Sequence, residues 1–444
     1  MVNHLIVNAR LVNEGRVFDA DLRIRSGRIA EIGSNLGARP DESVFDAAGR
    51  ALMPGMIDDQ VHFREPGLTR KGDIGSESRA AVAGGITSYM EMPNTSPWTG
   101  NMAMVGEKCA RAAQSSLANF AFYLGASNDN LDDVACADKH GVAGIKVCMA
   151  ASSANREVDN ADVLDAIFRV APCLIATHCE DSPTINANLA RFRAQYGDEI
   201  PPDAHPDIRS REACVKSTRL AIDLARHHDA RLHVLHVSTA EELELFAPGD
   251  GAGKRITAEA CLHFLHFDRR DYARKGNLIK CNPALKDPRD REALLAAVKD
   301  GRVDMLASGH APHLLSEKGA RYDRAAAGLP LVQFALPLVL ERYFDGVFDL
   351  PLIAEKCAHN PARLFGVRNR GFLREDFQAD LVLVDLNREQ AVRREDVINR
   401  CGWSPFEGDR FRSTVAATWV NGHLVYRDGQ LDDRLLGQRL EFDR

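Results

Sequence analysis

Apolar and polar positions alternate with a period of two along the first 50 residues, through Leu5, Val7, Ala9 and Leu11 and again at Leu22 and Ile24, with turn residues such as Ser26-Gly27 between them. That rhythm predicts short antiparallel strands. From Leu52 it gives way to solidly apolar runs over 53–62, 86–93, 119–124, 142–148, 173–178, 231–237, 255–261 and 303–309. Between them, the 3.6-residue period of helices appears at 76–83, 102–113, 161–170, 211–225 and 291–298. Eight strand-plus-helix units predict a closed parallel (β/α)8 TIM barrel over 53–366. Strand-like patterns return at 380–385 and 415–426, where Asn421-Gly422 marks a hairpin. The two chain ends, 1–52 and 367–444, are therefore expected to combine into a small β-sandwich-like domain within an overall α/β fold. The least regular stretch, 183–209, contains Pro201-Pro202 and reads as a long loop or insertion near the barrel mouth.

Composition narrows the function classes. Of the 444 residues, 45% are hydrophobic and 27% charged, the proportions of an ordinary folded protein. The formal net charge is -7, and Lys and Arg are scattered along the chain. Neither nucleic acid nor a membrane surface is expected as a partner, and a small-molecule substrate fits better. No apolar run reaches the roughly 18 residues that span a bilayer, and the chain does not start with a charged segment leading into an apolar one; a cytoplasmic location is expected. The ten cysteines include no C-x-x-C pair and mostly sit in apolar runs, so they read as buried, reduced thiols.

In such a barrel the chemistry lies at the C-terminal ends of the strands, and five endings carry polar groups. In Asp58-Asp59-Gln60-Val61-His62, a period of two places Asp58, Gln60 and His62 on one interior face. Lys146 lies inside an apolar run, where an ammonium must reach solvent, pair with a carboxylate or be neutralised in another way. Two successive strands end in His178 and His236, the convergent imidazoles that a divalent metal needs, although each alone also fits a hydrogen-bonded core histidine. The last ending reads Ser308-Gly309-His310-Ala311-Pro312-His313.

Together with Pro54-Gly55-Met56-Ile57-Asp58, Arg64-Glu65-Pro66-Gly67, Met92-Pro93-Asn94-Thr95, Gly144-Ile145-Lys146, His178-Cys179-Glu180-Asp181, His236-Val237-Ser238-Thr239 and Asn282-Pro283, these endings make the chain resemble the dihydroorotases of the amidohydrolase superfamily. The R-E-P-G and M-P-N-T pieces look like dihydroorotases rather than hydantoinases or allantoinases, which share the barrel and the metal chemistry. The resemblance implies interconversion of N-carbamoyl-L-aspartate and dihydroorotate in pyrimidine biosynthesis, with zinc as cofactor. It implies His62, Lys146, His178 and His236 as metal ligands, with Lys146 carbamylated so that a buried cation becomes an anionic oxygen donor. By the same likeness Arg64 and Asn94 grip the substrate carboxylate, and Asn282 and His313 make further substrate contacts; a homo-oligomer is expected. Taken alone, Arg64 also fits a salt bridge and Asn94 a turn.

Two departures fall on the chemistry. Where the resembled family has H-x-H, this chain has Gln60-Val61-His62, and a neutral amide is a poor zinc ligand. Where the family has Asp before H-A-P-H, as metal ligand and proton shuttle, this chain has Gly309. The expectation is one zinc ion, with the catalytic acid/base unassigned; His310 and Asp58 are the candidates to replace it. The rival reading is a non-catalytic assembly partner of aspartate carbamoyltransferase. His205, His227, His228, His263, His266 and His359 match no ligand motif and read as structural.

Overall fold

The computed structural model describes residues 3–150, 156–251 and 253–444. All eight predicted barrel strands form: β1 (Met56–Val61), β2 (Ile86–Glu91), β3 (Asn119–Phe122), β4 (Ile145–Cys148), β5 (Ile175–His178), β6 (Leu232–Val234), β7 (Ile256–Cys261) and β8 (Met305–Ala307). Nearly every residue in them is buried, as expected for parallel strands covered on both faces. Their pairings are parallel throughout. Leu124–Gly125 continues β3 and pairs with β4. The barrel closes where Val61 bridges His310 and the His62 N–H donates to the His310 carbonyl at 2.8 Å.

The outer helices follow their caps and apolar stripes. Arg211–His227 starts at Ser210, which accepts the Ala213 N–H, and buries Ala213, Cys214, Ser217, Thr218, Ala221, Ile222 and Ala225 at helical spacing. Pro288–Asp300 starts with proline in its first turn and ends at Gly301, whose φ of 81° is left-handed; a Cβ there would lie 1.9 Å from the Gly249 carbonyl oxygen.

The chain ends build one nine-stranded sheet. Leu381–Asp385 pairs antiparallel with Ala51–Pro54, which pairs with Asn3–Asn13, so the two termini share one set of hydrogen bonds. The sheet encloses its own core around Leu11, Ile24, Leu383 and Trp419, with Phe45 edge-on to Trp419 at 5.1 Å. The hairpin at Asn421-Gly422 is present, both residues having positive φ and Val420 pairing with His423. The N-terminal strands are not all antiparallel, because Asn3–Val7 pairs in parallel with Glu42–Asp46.

Two further expectations are corrected. Much of the irregular stretch 183–209 is helical, over Ser182–Tyr196 and His205–Ile208, started by Asp181 accepting the Thr184 N–H with Pro183 in the first turn. The first helix carries a narrow apolar stripe, Ile185, Leu189 and Phe192 at helical spacing, of which only Ile185 is buried, so the signal in the sequence is weak. The alternation of Asp58, Gln60 and His62 is also broken, because the pairing of β1 with β2 slips between Asp58 and Val61. Asp58 accepts the Ser308 N–H at 3.0 Å, while Asp59 meets His233 and Glu259 inside the barrel.

Candidate active site

The C-terminal strand ends surround a cavity of about 70 Å³ lined by Gln60, His62, Arg64, Asn94, Lys146, His178, His236, Cys261, His263 and Asn282 among others. Seven of the eight predicted site residues therefore converge on one space. The eighth, His313, lines an adjoining cavity of about 600 Å³ that shares Asn282 and Ala327 with the first. This outer cavity carries Lys71, Arg193, Arg209, Lys280 and Arg324 against Glu317 and Asp323, so its approach favours anions.

His178 and His236 face each other, Nδ1 to Nε2, at 2.9 Å. Nε2 of His178 donates to Glu180 at 2.9 Å, which leaves its Nδ1 lone pair directed at His236. Burial lowers both imidazoles, and His178 lowers His236 further, so both are held neutral as metal ligands require. Burial also raises Glu180, but Arg209 and His178 outweigh it and bring the carboxyl down to about 2. Lys146 is buried with no ion-pair partner among the described residues, and burial pulls its ammonium down to about 8. A neutral amine is the form that reacts with carbon dioxide. Lys146, His178 and His236 thus fit one metal position.

A second position is poorly furnished. His62 Nδ1 donates to Asn94 Oδ1 at 2.6 Å, leaving Nε2 for the cavity, and Gln60 Oε1 accepts the Cys261 thiol at 3.1 Å. Gly309 has φ +65°, and a Cβ on it would lie 2.6 Å from Cys261 Sγ and 3.2 Å from His263 Cε1. The place of the missing side chain is thus filled by Cys261 and His263. His263, expected to be structural, lines the cavity with Nδ1 unbonded. Its signal was a position two residues beyond Cys261, just past a strand end. Neither proposed substitute acid lines the cavity: His310 sits 3.0 Å from Glu77 and accepts the Leu331 N–H, and Asp58 is held at Ser308.

Arg64 is buried, donates through Nε to the Pro312 carbonyl at 3.1 Å and forms no ion pair among the described residues. Burial brings it down to about 10. It lies 3.1 Å from His313 Nε2, and Lys71 donates to His313 Nδ1 at 3.0 Å. Asn282 Oδ1 is buried without a hydrogen bond.

The family profile described as "Amidohydrolase family" matches residues 51–425, and the chain belongs to that family. Its resemblance to dihydroorotases extends over almost its whole length: the dihydroorotase of Halobacterium salinarum is 34% identical over 424 residues, covering 95% of this chain and 96% of that protein. The allantoinase of Solibacter usitatus is 32% identical over 444 residues, covering 98% and 96%. Among solved structures, the L-hydantoinase (dihydropyrimidinase) from Arthrobacter aurescens superposes with a TM-score of 0.93 at 26% identity, covering 99% of this chain and 100% of that one. No helix among the described residues is long and apolar enough to cross a membrane.

Proposed function

We propose that the protein is a cyclic amide hydrolase of dihydroorotase type, interconverting dihydroorotate and N-carbamoyl-L-aspartate in pyrimidine biosynthesis, with a single zinc position facing the cavity of about 70 Å³. The observation that carries this reading is Arg64: a buried guanidinium without a carboxylate partner is costly unless a ligand brings one, and it faces the same space as Lys146, His178 and His236. Arg64 can take a carboxylate as a two-pronged donor, with the free amide N–H groups of Asn94 beside it. Asn282 Oδ1, buried and unbonded, can accept a ring N–H.

In this reading a carbamylated Lys146, His178 and His236 hold the metal, with His62 as an additional donor. When bound there, a zinc ion would supply Lewis acidity, to lower the pKa of a water and to polarise a carbonyl. Glu180 fixes the His178 tautomer, Asn94 fixes that of His62, and Arg64 orients the substrate by its carboxylate. His263, neutral because burial lowers it to about 3, is placed as a hydrogen-bonding group on the side where Gly309 offers none.

The test is turnover of dihydroorotate and carbamoyl aspartate by zinc-loaded protein, with allantoin and a neutral hydantoin as controls. Turnover confined to the first pair supports the reading, and turnover of a neutral ring alone refutes it. No turnover of any ring, with dihydroorotate still bound, would favour the assembly-partner reading.

A further inference from the structure

Below the cavity lies a second donor cluster, made of Asp59, His233 and Glu259, all fully buried. Each precedes a cavity-lining residue of its strand or strand end, Gln60, His236 and Cys261 respectively, so the cluster sits one layer deeper in the barrel. His233 Nε2 is 3.4 Å from Asp59 Oδ2 and 3.4 Å from Glu259 Oε2. These separations are long for charge-assisted hydrogen bonds, which run about 2.7–2.9 Å. They match the edge of a tetrahedron around an ion with donors at about 2.1 Å, which is about 3.4 Å.

The hydrogen bonds around the cluster point the same way. Thr257 Oγ1 donates to the Leu232 carbonyl, so it accepts from His233 Nδ1 at 2.8 Å. That bond leaves Nε2 aimed between two carboxylates, which outweigh burial and hold His233 up at about 9, so the centre of the cluster calls for a positive charge, filled by a proton on Nε2 in the metal-free protein and by a cation that displaces it when metal is bound. Neither oxygen of Asp59 has a hydrogen bond, while Glu259 Oε1 is turned away to the His236 N–H at 3.0 Å.

We propose that Asp59, His233 and Glu259 bind a divalent ion of zinc type inside the barrel, separate from the ion held by Lys146, His178 and His236. Two carboxylates, a neutral histidine and a divalent cation sum to zero charge, which suits a dry interior. The ion ties β1, β6 and β7 together beneath the cavity without facing the substrate.

The test strips the full-length protein with chelator, reloads it with zinc alone, and combines elemental analysis with anomalous difference maps at the zinc edge. The expected result is a peak about 2.1 Å from donors of all three side chains. Asp59→Asn loses that peak and one ion per chain, while Glu259→Gln checks the result in case Asp59→Asn does not fold. His178→Ala gives the opposite pattern, keeping the inner ion and losing the outer one, so failure of the proposed enzyme site and failure of this site look different. Zinc-loaded native crystals with no peak among the three residues overturn the proposal, as does a folded Asp59→Asn protein with native stoichiometry.

Discussion

Gly309→Ala is expected to destabilise the protein far more than an ordinary loop substitution. At φ +65° an L-residue costs about 1–2 kcal/mol. The added Cβ also meets Cys261 Sγ at 2.6 Å and Cys261 Cβ at 3.1 Å, and overpacking of this kind costs about 1–3 kcal/mol. The total is about 2–5 kcal/mol, read by equilibrium urea unfolding. Cys261→Ala removes the sulfur, so the two changes must couple: the double variant should recover at least about 1 kcal/mol relative to the sum of the singles. The same clash opposes rebuilding a second metal position with Gly309→Asp and Gln60→His, and adding Cys261→Ala should relieve it. If Gly309→Ala lies within about 0.5 kcal/mol of native, or if the cycle shows no coupling, then Cys261 does not occupy the missing side chain's place and Gly309 is only a deletion.

Three further outcomes are expected. Arg64→Met lowers kcat/KM for dihydroorotate by at least about 30-fold, since stranding one member of a buried charge pair costs about 2–5 kcal/mol; unchanged kinetics would remove the carboxylate assignment. Lys146→Met abolishes turnover yet raises the stability of chelator-treated protein, by up to about 3 kcal/mol, because burial holds this ammonium at about 8 against an ordinary 10.5; thermal melts of the two proteins check the sign. Glu180, held at about 2 against 4.5, gives stability that is complete above pH 4.5 and is lost as pH falls through about 2. Glu180→Gln should therefore flatten the acid limb of the stability curve over that window, and an unchanged limb would show that the pairing with Arg209 and His178 carries no such stability.

The barrel was legible because parallel strands buried on both faces leave continuous apolar runs, and the polar residues ending those runs are the ones that converge on the cavity. The helix Ser182–Tyr196 was missed because its stripe is narrow, Ile185, Leu189 and Phe192 with only the first buried, and the prolines at 183, 201 and 202 read more strongly as a loop. The alternation rule failed at β1 for a different reason: a slipped register is a property of the pair of strands, and nothing in Asp58-Asp59-Gln60 marks it. That slip separates two neighbouring carboxylates, sending Asp58 to the Ser308 backbone and Asp59 to His233 and Glu259. Gly309 shows the same limit from the other side. The sequence reports a lost side chain, whereas the packing of Cys261 and His263 against Gly309 shows that its space has been reassigned. Residue identity therefore locates the site, and the backbone register together with the competition for volume decides which donors can face an ion or a substrate.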